Sequence, residues 1–220
     1  MRNRCLLHQL VLIMGIVFVH FIYWNQKSNL LENLKTFHNS SFRKRFIATT
    51  KLLSPHVLKN QSSLIVPVQN RDEQLDYFIH FLCNMSKFRD SNQYSVHFIE
   101  QQNNDKSFNR AKLLNVGLDL VINSSTCVIV HDVDLLPHND VDYLNCELPT
   151  HLGSQLENHN WGVPYSSYSG GVFSASPKHW RQINGLSNLF QGWGGEDDEM
   201  FERFKHHNLM DALTLSLIHI

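Results

Sequence analysis

Apolar and polar positions switch between two periods along most of the chain. Residues 63–68, Ser-Leu-Ile-Val-Pro-Val, form a short apolar run rich in β-branched side chains, the pattern of a buried strand. Between residues 72 and 88, Leu75, Phe78, Ile79, Leu82 and Met85 recur every three or four positions, which predicts an amphipathic helix. Residues 94–99 resemble a second strand. Asn109 stands where an N-cap would, ahead of a helix carrying Leu113, Val116, Gly117 and Leu120 on one face. Residues 126–130 form a third apolar run, which ends in His131-Asp132-Val133-Asp134. The order β-α-β-α-β predicts an α/β domain built on a mostly parallel, Rossmann-like sheet. In such sheets the ligand crevice lies beyond the C-terminal strand ends, where Asp132 and Asp134 fall.

Upstream the pattern is different. Residues 5–24 are predominantly apolar, 10–19 carry no polar side chain, and Arg2 and Arg4 precede the run. A membrane span needs about 20 such residues, and the excess of positive charge stays cytosolic. The pattern predicts a cytosolic tail at 1–4, a transmembrane anchor at 5–24, and a lumenal remainder. A cleaved signal peptide is the alternative, but no small-residue cleavage site precedes Asn25. Residues 25–62 mix Lys, Asn, Ser and His without a sustained period and read as a stem. The folded domain is expected over 63–209, with a divergent apolar tail at 210–220. Four Asn-x-Ser sequons follow the apolar run, at Asn39, Asn60, Asn84 and Asn123; a lumenal location would make them usable.

The chain has 220 residues, of which 42% are hydrophobic and 18% charged, with a formal net charge of −1. That allows one domain with an appendage and argues against disorder throughout. The balanced charge gives no electrostatic drive toward nucleic acid, which is not an expected partner. Four cysteines without a CxxC pair suit one or two disulfides and give a structural zinc cluster no support. No GxSxG, Walker A or HExxH pattern occurs.

Three constellations carry chemistry. Asp132 and Asp134, two apart in an extended segment, put two carboxylates on one side, a site for a hard cation such as Mn²⁺ or Mg²⁺; a plain turn also uses Asp. Gly192-Trp193-Gly194-Gly195 precedes Glu196-Asp197-Asp198-Glu199, which suits a lid with a flat side chain followed by a carboxylate able to take a proton. Four acids also favour a helix start by themselves. Tyr168-Ser169-Gly170-Gly171 offers close backbone approach and aromatic faces, or an ordinary tight turn.

Taken together, Phe108-Asn109-Arg110-Ala111-Lys112-Leu113-Leu114-Asn115-Val116-Gly117, Asp132-Val133-Asp134-Leu135-Leu136-Pro137, Tyr168-Ser169-Gly170-Gly171-Val172, Asn184-Gly185 and the Gly192–Asp198 stretch resemble the β-1,4-galactosyltransferase family. The match runs in the family's order from about residue 65 to 209. The resemblance implies a GT-A nucleotide-sugar-binding fold, a Golgi type II topology, and inverting transfer of galactose from UDP-galactose to a glycan acceptor. It implies that Asp134 binds Mn²⁺ and that Asp132 contacts the donor. Pro67, Arg71, Phe108, Arg110 and Val133 would line the donor side, and Tyr168 would lie against the galactose with Gly171 nearby. Trp193 would close as a lid. Glu196 and Asp197 would face the acceptor, with Asp197 as general base. Cys127 and Cys146 match a bridged pair in the family's larger branch. Two departures stand out. Pro67-Val68-Gln69 replaces the family's Pro-Phe-Arg, and the match stops near Leu209, before the His-rich segment that completes the family's metal site. The expectation is a chain cut short there. The acceptor is N-acetylglucosamine or glucose on one reading and xylose of a proteoglycan linker on another; a non-catalytic membrane-anchored homologue is the third.

Overall fold

The computed structural model describes residues 11–14, 17–23, 61–89, 93–101, 107–192, 194–210 and 214–215. Its strands are β1 (Val11–Met14), β2 (Val17–Tyr23), β3 (Gln61–Val68), β4 (Tyr94–Gln101), β5 (Ser125–His131), β6 (Thr150–His151), β7 (Val172–Ala175) and β8 (Thr214–Leu215). Its α-helices are α1 (Asp72–Asn84), α2 (Ser86–Arg89), α3 (Arg110–Val121), α4 (Pro177–Gln182) and α5 (Glu196–His206). One sheet holds all the described strands in the order β1-β2-β4-β3-β5-β7-β6-β8.

β3 lies at the centre, parallel to β4 on one side and to β5 on the other. A parallel strand covered on both faces reads as a continuous apolar run, and residues 62–68 are buried without a break. Alternation then sorts its side chains. Leu64, Val66 and Val68 face the α1 layer with Leu75, Phe78 and Leu82. Ile65 faces the α3 layer with Leu113, Leu114 and Leu118. Gly117 permits that second contact: a Cβ there would overlap the Ile65 side chain.

The predicted sheet needs one correction. The three central strands are parallel, but β7 returns antiparallel to β5, pairing Val128 with Ala175 and His131 with Val172. β6 then pairs antiparallel with β7. The sheet is therefore mixed, because the chain after β5 loops back rather than crossing over through a helix.

Local signals set most boundaries. Asn109 accepts a hydrogen bond from the Lys112 backbone N–H at 2.8 Å, capping α3. Ser176 accepts from His179 N–H at 3.3 Å, with Pro177 at the first helical position of α4. The helix predicted over 72–88 divides at Met85, whose backbone is extended with ψ 124°.

The N-terminal run is described only in part. Where a transmembrane helix is expected over 5–24, the described residues form β1 and β2, with β2 antiparallel to β4. An apolar run rich in Val, Ile and Phe satisfies a strand as well as a helix, so periodicity alone cannot choose. Among the described residues no helix is long and apolar enough to cross a membrane. The predicted stem at 25–62 lies outside the described residues except for Gln61 and Ser62, which open β3. Within the predicted tail, Thr214–Leu215 form β8 against β6.

Candidate functional site

The C-terminal end of β5 supplies the first pieces. His131 is fully buried, and its ring is held at both nitrogens. Nδ1 lies 2.8 Å from the Asp132 carbonyl, and Nε2 lies 3.0 Å from the Tyr143 hydroxyl. A neutral ring satisfies both, donating from Nδ1 and accepting from Tyr143. Burial favours that form and lowers the His131 pKa to about 4. The chain then turns: Leu135 N–H donates to the Asp132 carbonyl at 3.3 Å. Val133 points into the α1 layer, and Asp134 is exposed.

This turn is tied at several points. Cys127 in β5 is disulfide-bonded to Cys146, which closes a loop around the Asp-Val-Asp segment. Lys87 donates from Nζ to the carbonyls of His138, Asn139 and Val141 at 3.2, 3.1 and 2.8 Å. Its ammonium also sits 5.2 Å from the Tyr143 ring centroid. Burial lowers the Lys87 pKa to about 8, against the opposing pull of Asp140 and Asp142.

Arg110 opens α3 and links the turn to α5. Its Nε donates to Asp132 Oδ1 at 2.7 Å, and its Nη1 lies 3.5 Å from Glu196 Oε1. The Arg110 and Glu196 side chains are only 10% and 9% exposed. Burial raises the pKa of both Asp132 and Glu196, with Arg110 drawing each back. For Arg110 itself, burial is outweighed by the two carboxylates, so its charge is held. Glu196 Oε2 is buried and has no hydrogen-bond partner among the described residues.

The loop ahead of β7 completes the set. Asp132 N–H donates to the Gly171 carbonyl at 2.9 Å, which joins the two segments. Gly171 has φ +78°, and a Cβ there would press on Leu135. A Cβ at Gly170 would collide with both the Asp197 carboxylate and the Tyr168 ring, so these two groups flank one small residue. Tyr168 is half-buried, and its pKa is pushed up to about 12, first by burial and then by Asp132 and Asp197. Ser169 donates its hydroxyl to the Asp197 carbonyl at 2.8 Å, and Tyr165 donates to Asp198 Oδ1 at 2.8 Å. The Asp197 carboxylate also accepts from Asp198 N–H at 3.0 Å.

The structure thus brings together Arg110, Asp132, Asp134, Tyr168, Gly171, Glu196 and Asp197 from four separate stretches. Phe108 is half-buried beside α3, and its carbonyl accepts from Gly192 N–H at 2.7 Å, anchoring the glycine-rich loop. Pro67 is buried near the end of β3, opposite Ile99, and Arg71 is exposed at the start of α1. Trp193 lies outside the described residues. No cluster of three or more metal-ligating side chains occurs among the described residues.

Sequence reasoning passed over two supports. His151 in β6 donates from Nε2 to the Gly170 carbonyl at 2.8 Å and packs edge-on to Tyr168 at 5.5 Å. No local pattern marks it, because its strand has two residues. The Asn109 side chain donates to the Asn188 carbonyl, and Asn115 bridges Leu186 and Asn188. These contacts join α3 to the segment before the glycine-rich loop, an association across more than 70 residues.

Comparison with known proteins finds clear relatives. Residues 21–147 match the family model of the N-terminal region of glycosyl transferase group 7. Residues 150–212 match that of the N-terminal domain of galactosyltransferase. Human beta-1,4-galactosyltransferase 6 is 39% identical over 145 residues, covering 64% of this chain and 37% of the relative. Human beta-1,4-galactosyltransferase 1 is 38% identical over 154 residues, covering 69% and 37%. The chain therefore aligns with little more than a third of the length of these curated relatives. The catalytic domain of Drosophila beta1,4galactosyltransferase 7, solved with xylobiose, superposes with a TM-score of 0.61 at 30% identity, over 71% of this chain and 64% of that one. A mutant of the same Drosophila enzyme has been solved with manganese, UDP-Gal and xylobiose. With a family model covering more than half its length, this chain belongs to the galactosyltransferases of glycosyl transferase group 7.

Proposed function

We propose that this chain is an inverting galactosyltransferase. It moves galactose from UDP-galactose in β-1,4 linkage onto an N-acetylglucosamine or glucose hydroxyl of a glycan. The observation that carries this reading is the placement of the Asp197 carboxylate beside Gly170 and Tyr168, within electrostatic reach of the Arg110–Asp132 pair. On this reading Asp197 serves the acceptor side and the Arg110–Asp132 pair the donor side, with the Tyr168 ring near all three.

Each residue has a step it can perform. Asp197 takes the proton of the acceptor hydroxyl, its carboxylate oriented by Asp198 N–H and its backbone by Ser169. The acceptor oxygen forms a bond to the anomeric carbon as that carbon's bond to the UDP oxygen breaks, so UDP leaves with the bonding pair. Arg110 holds Asp132 in position on the donor side. Tyr168 offers its ring to the galactose and stays protonated across the physiological range. The buried Oε2 of Glu196, without a hydrogen-bond partner among the described residues, can accept from an acceptor hydroxyl.

The exposed carboxylate of Asp134 and the neighbouring Asp132 are hard oxygen donors and fit Mn²⁺. These residues would hold it, and a divalent cation there supplies positive charge to a departing diphosphate.

The same reading places the chain in the Golgi membrane as a single-pass type II protein, with its domain in the lumen. What supports this is the apolar run behind Arg2 and Arg4, the sequons, and a disulfide that belongs in an oxidising compartment. Part of that run is paired as β1 and β2, so carbonate extraction and protease protection in cells are the measurements that test the anchor.

Transfer from UDP-galactose to acceptors ending in N-acetylglucosamine, glucose or xylose, in the presence of Mn²⁺, tests the activity. Product with the first two, abolished by Asp197→Asn, is expected. Absence of transfer to every acceptor contradicts the proposal. A preference for xylose would favour a proteoglycan-linker enzyme, a reading supported by the xylobiose bound to the Drosophila neighbour.

A further inference from the structure

On the α1 face, away from the cluster above, Tyr77, His80, Phe81, Asn84, Met85, Ser86 and Asn139 line a groove of about 370 Å³. That volume lies within the about 300–1,000 Å³ of ordinary ligand sites. Tyr77, His80 and Phe81 share one helix face at spacings of three and four. Tyr77 is 62% exposed, so its ring is available to a ligand in the groove. The groove also contains a complete sequon, Asn84-Met85-Ser86.

The backbone at this sequon is open. Asn84 is the last residue of α1, Met85 is extended, and Ser86 begins α2. Asn84 and Ser86 are both exposed. The Asn84 side chain makes a single local bond, Nδ2 to the His80 carbonyl at 3.0 Å. An N-linked amide keeps one hydrogen on Nδ2, enough for one bond of this kind. The Asn123 sequon is different. Its side-chain oxygen accepts from Arg181, and its Ser125 hydroxyl is tied to Ser63 at 2.7 Å.

We propose that Asn84 carries an N-linked glycan and that its first sugar seats in this groove, against Tyr77, His80 and Phe81. The inference rests on the lumenal reading given above. In the modifying step Asn84 Nδ2 bonds to the anomeric carbon of a lipid-diphosphate-linked oligosaccharide. The lipid diphosphate leaves with the bonding electrons, and the displaced amide proton goes to solvent. The occupant is argued from its own attachment point, because a sugar bonded to Asn84 starts inside the groove. A pyranose presents an apolar C–H face to rings such as Tyr77 and polar edges to Asn139 and His80.

The test expresses the full chain in cells with a secretory pathway. Tryptic peptides are treated with peptide N-glycosidase in ¹⁸O water, which marks each formerly glycosylated Asn as labelled Asp. Labelled Asp at position 84, and a gain in gel mobility worth one glycan's mass in Asn84→Gln, are expected. Asn84 recovered unlabelled while Asn123, Asn39 or Asn60 is labelled overturns the inference and leaves the lumenal reading standing. No label at any of the four, in a chain accessible to cytosolic protease, overturns both. Seating has a separate readout, the rate of enzymatic release of the glycan from the folded protein. Tyr77→Ala is expected to speed release about threefold or more, and Tyr77→Phe to leave it unchanged. Equal rates in all three proteins overturn the seating. Tyr77 is exposed, so neither variant threatens the fold.

Discussion

Replacing Arg110 with Met tests the ionic bridge at the centre of the site. Methionine keeps the stem as far as the Nε position but removes the guanidinium and its charge. In the native protein Nε donates to Asp132 at 2.7 Å and Nη1 approaches Glu196 at 3.5 Å. A hydrogen bond between charged partners contributes about 1.5–3 kcal/mol, and the longer contact adds less. Breaking a buried pair from one side costs about 3–5 kcal/mol, because the remaining charges are stranded. Asp132 retains some solvent contact, with its side chain 30% exposed, so we place the loss at about 3 kcal/mol near neutral pH. The sign with pH follows from the carboxylates. Burial already raises the pKa of Asp132 and Glu196 in the fold, and losing Arg110 raises them further. A carboxylate with a raised folded pKa stabilises most when protonated, and that stability is lost as pH rises through the folded pKa. The destabilisation by Arg110→Met is therefore smaller at about pH 5 than at about pH 7. Urea denaturation followed by tryptophan fluorescence at the two pH values measures it. An equal loss at both, or a loss near neutral pH under about 0.5 kcal/mol, refutes the reasoning.

Three further outcomes follow from the fold. Replacing Cys127 and Cys146 together with Ser opens a loop of 19 residues' separation and is expected to lower stability by about 3 kcal/mol in urea denaturation; an unchanged midpoint would show that the other ties around the Asp-Val-Asp turn suffice. His97 is buried, and burial lowers its pKa from 6.5 to about 3, so it adds stability above pH 6.5 that is lost as pH falls toward 3. His97→Gln should flatten the stability-versus-pH curve in that window, and an identical slope in variant and parent would count against the assignment. Gly171→Ala forces a Cβ into φ +78° against Leu135 and is expected to cost about 1–2 kcal/mol and to weaken UDP-galactose binding in calorimetry; binding at full strength contradicts the close approach.

Much of the fold was legible because strands and helices carry different periods. The buried run at 63–68, the stripe from Leu75 to Leu82 and the cap at Asn109 each found their element. The antiparallel return of β7 was not legible. Val172–Ala175 is only four residues long, and its direction depends on the loop before it. The N-terminal apolar run is ambiguous for a related reason, since its composition suits both a span and a strand. In the site, the residues that touch one another sit in recognisable motifs, whereas His151 and the Asn115–Asn188 bridge act through tertiary contacts that leave no local mark. The Arg110–Glu196 contact spans 86 positions, and only the fold brings its partners within 3.5 Å.

We propose that the turn after β5 and the start of α5 form a cation-dependent nucleotide-sugar site. Titration calorimetry of the full chain with UDP-galactose, with Mn²⁺ and then with chelator, addresses it most directly. Saturable binding that requires Mn²⁺ and disappears in a folded Asp134→Ala variant is the predicted result. Binding indifferent to Mn²⁺ or unchanged in Asp134→Ala, or no saturable binding under any condition, would contradict it.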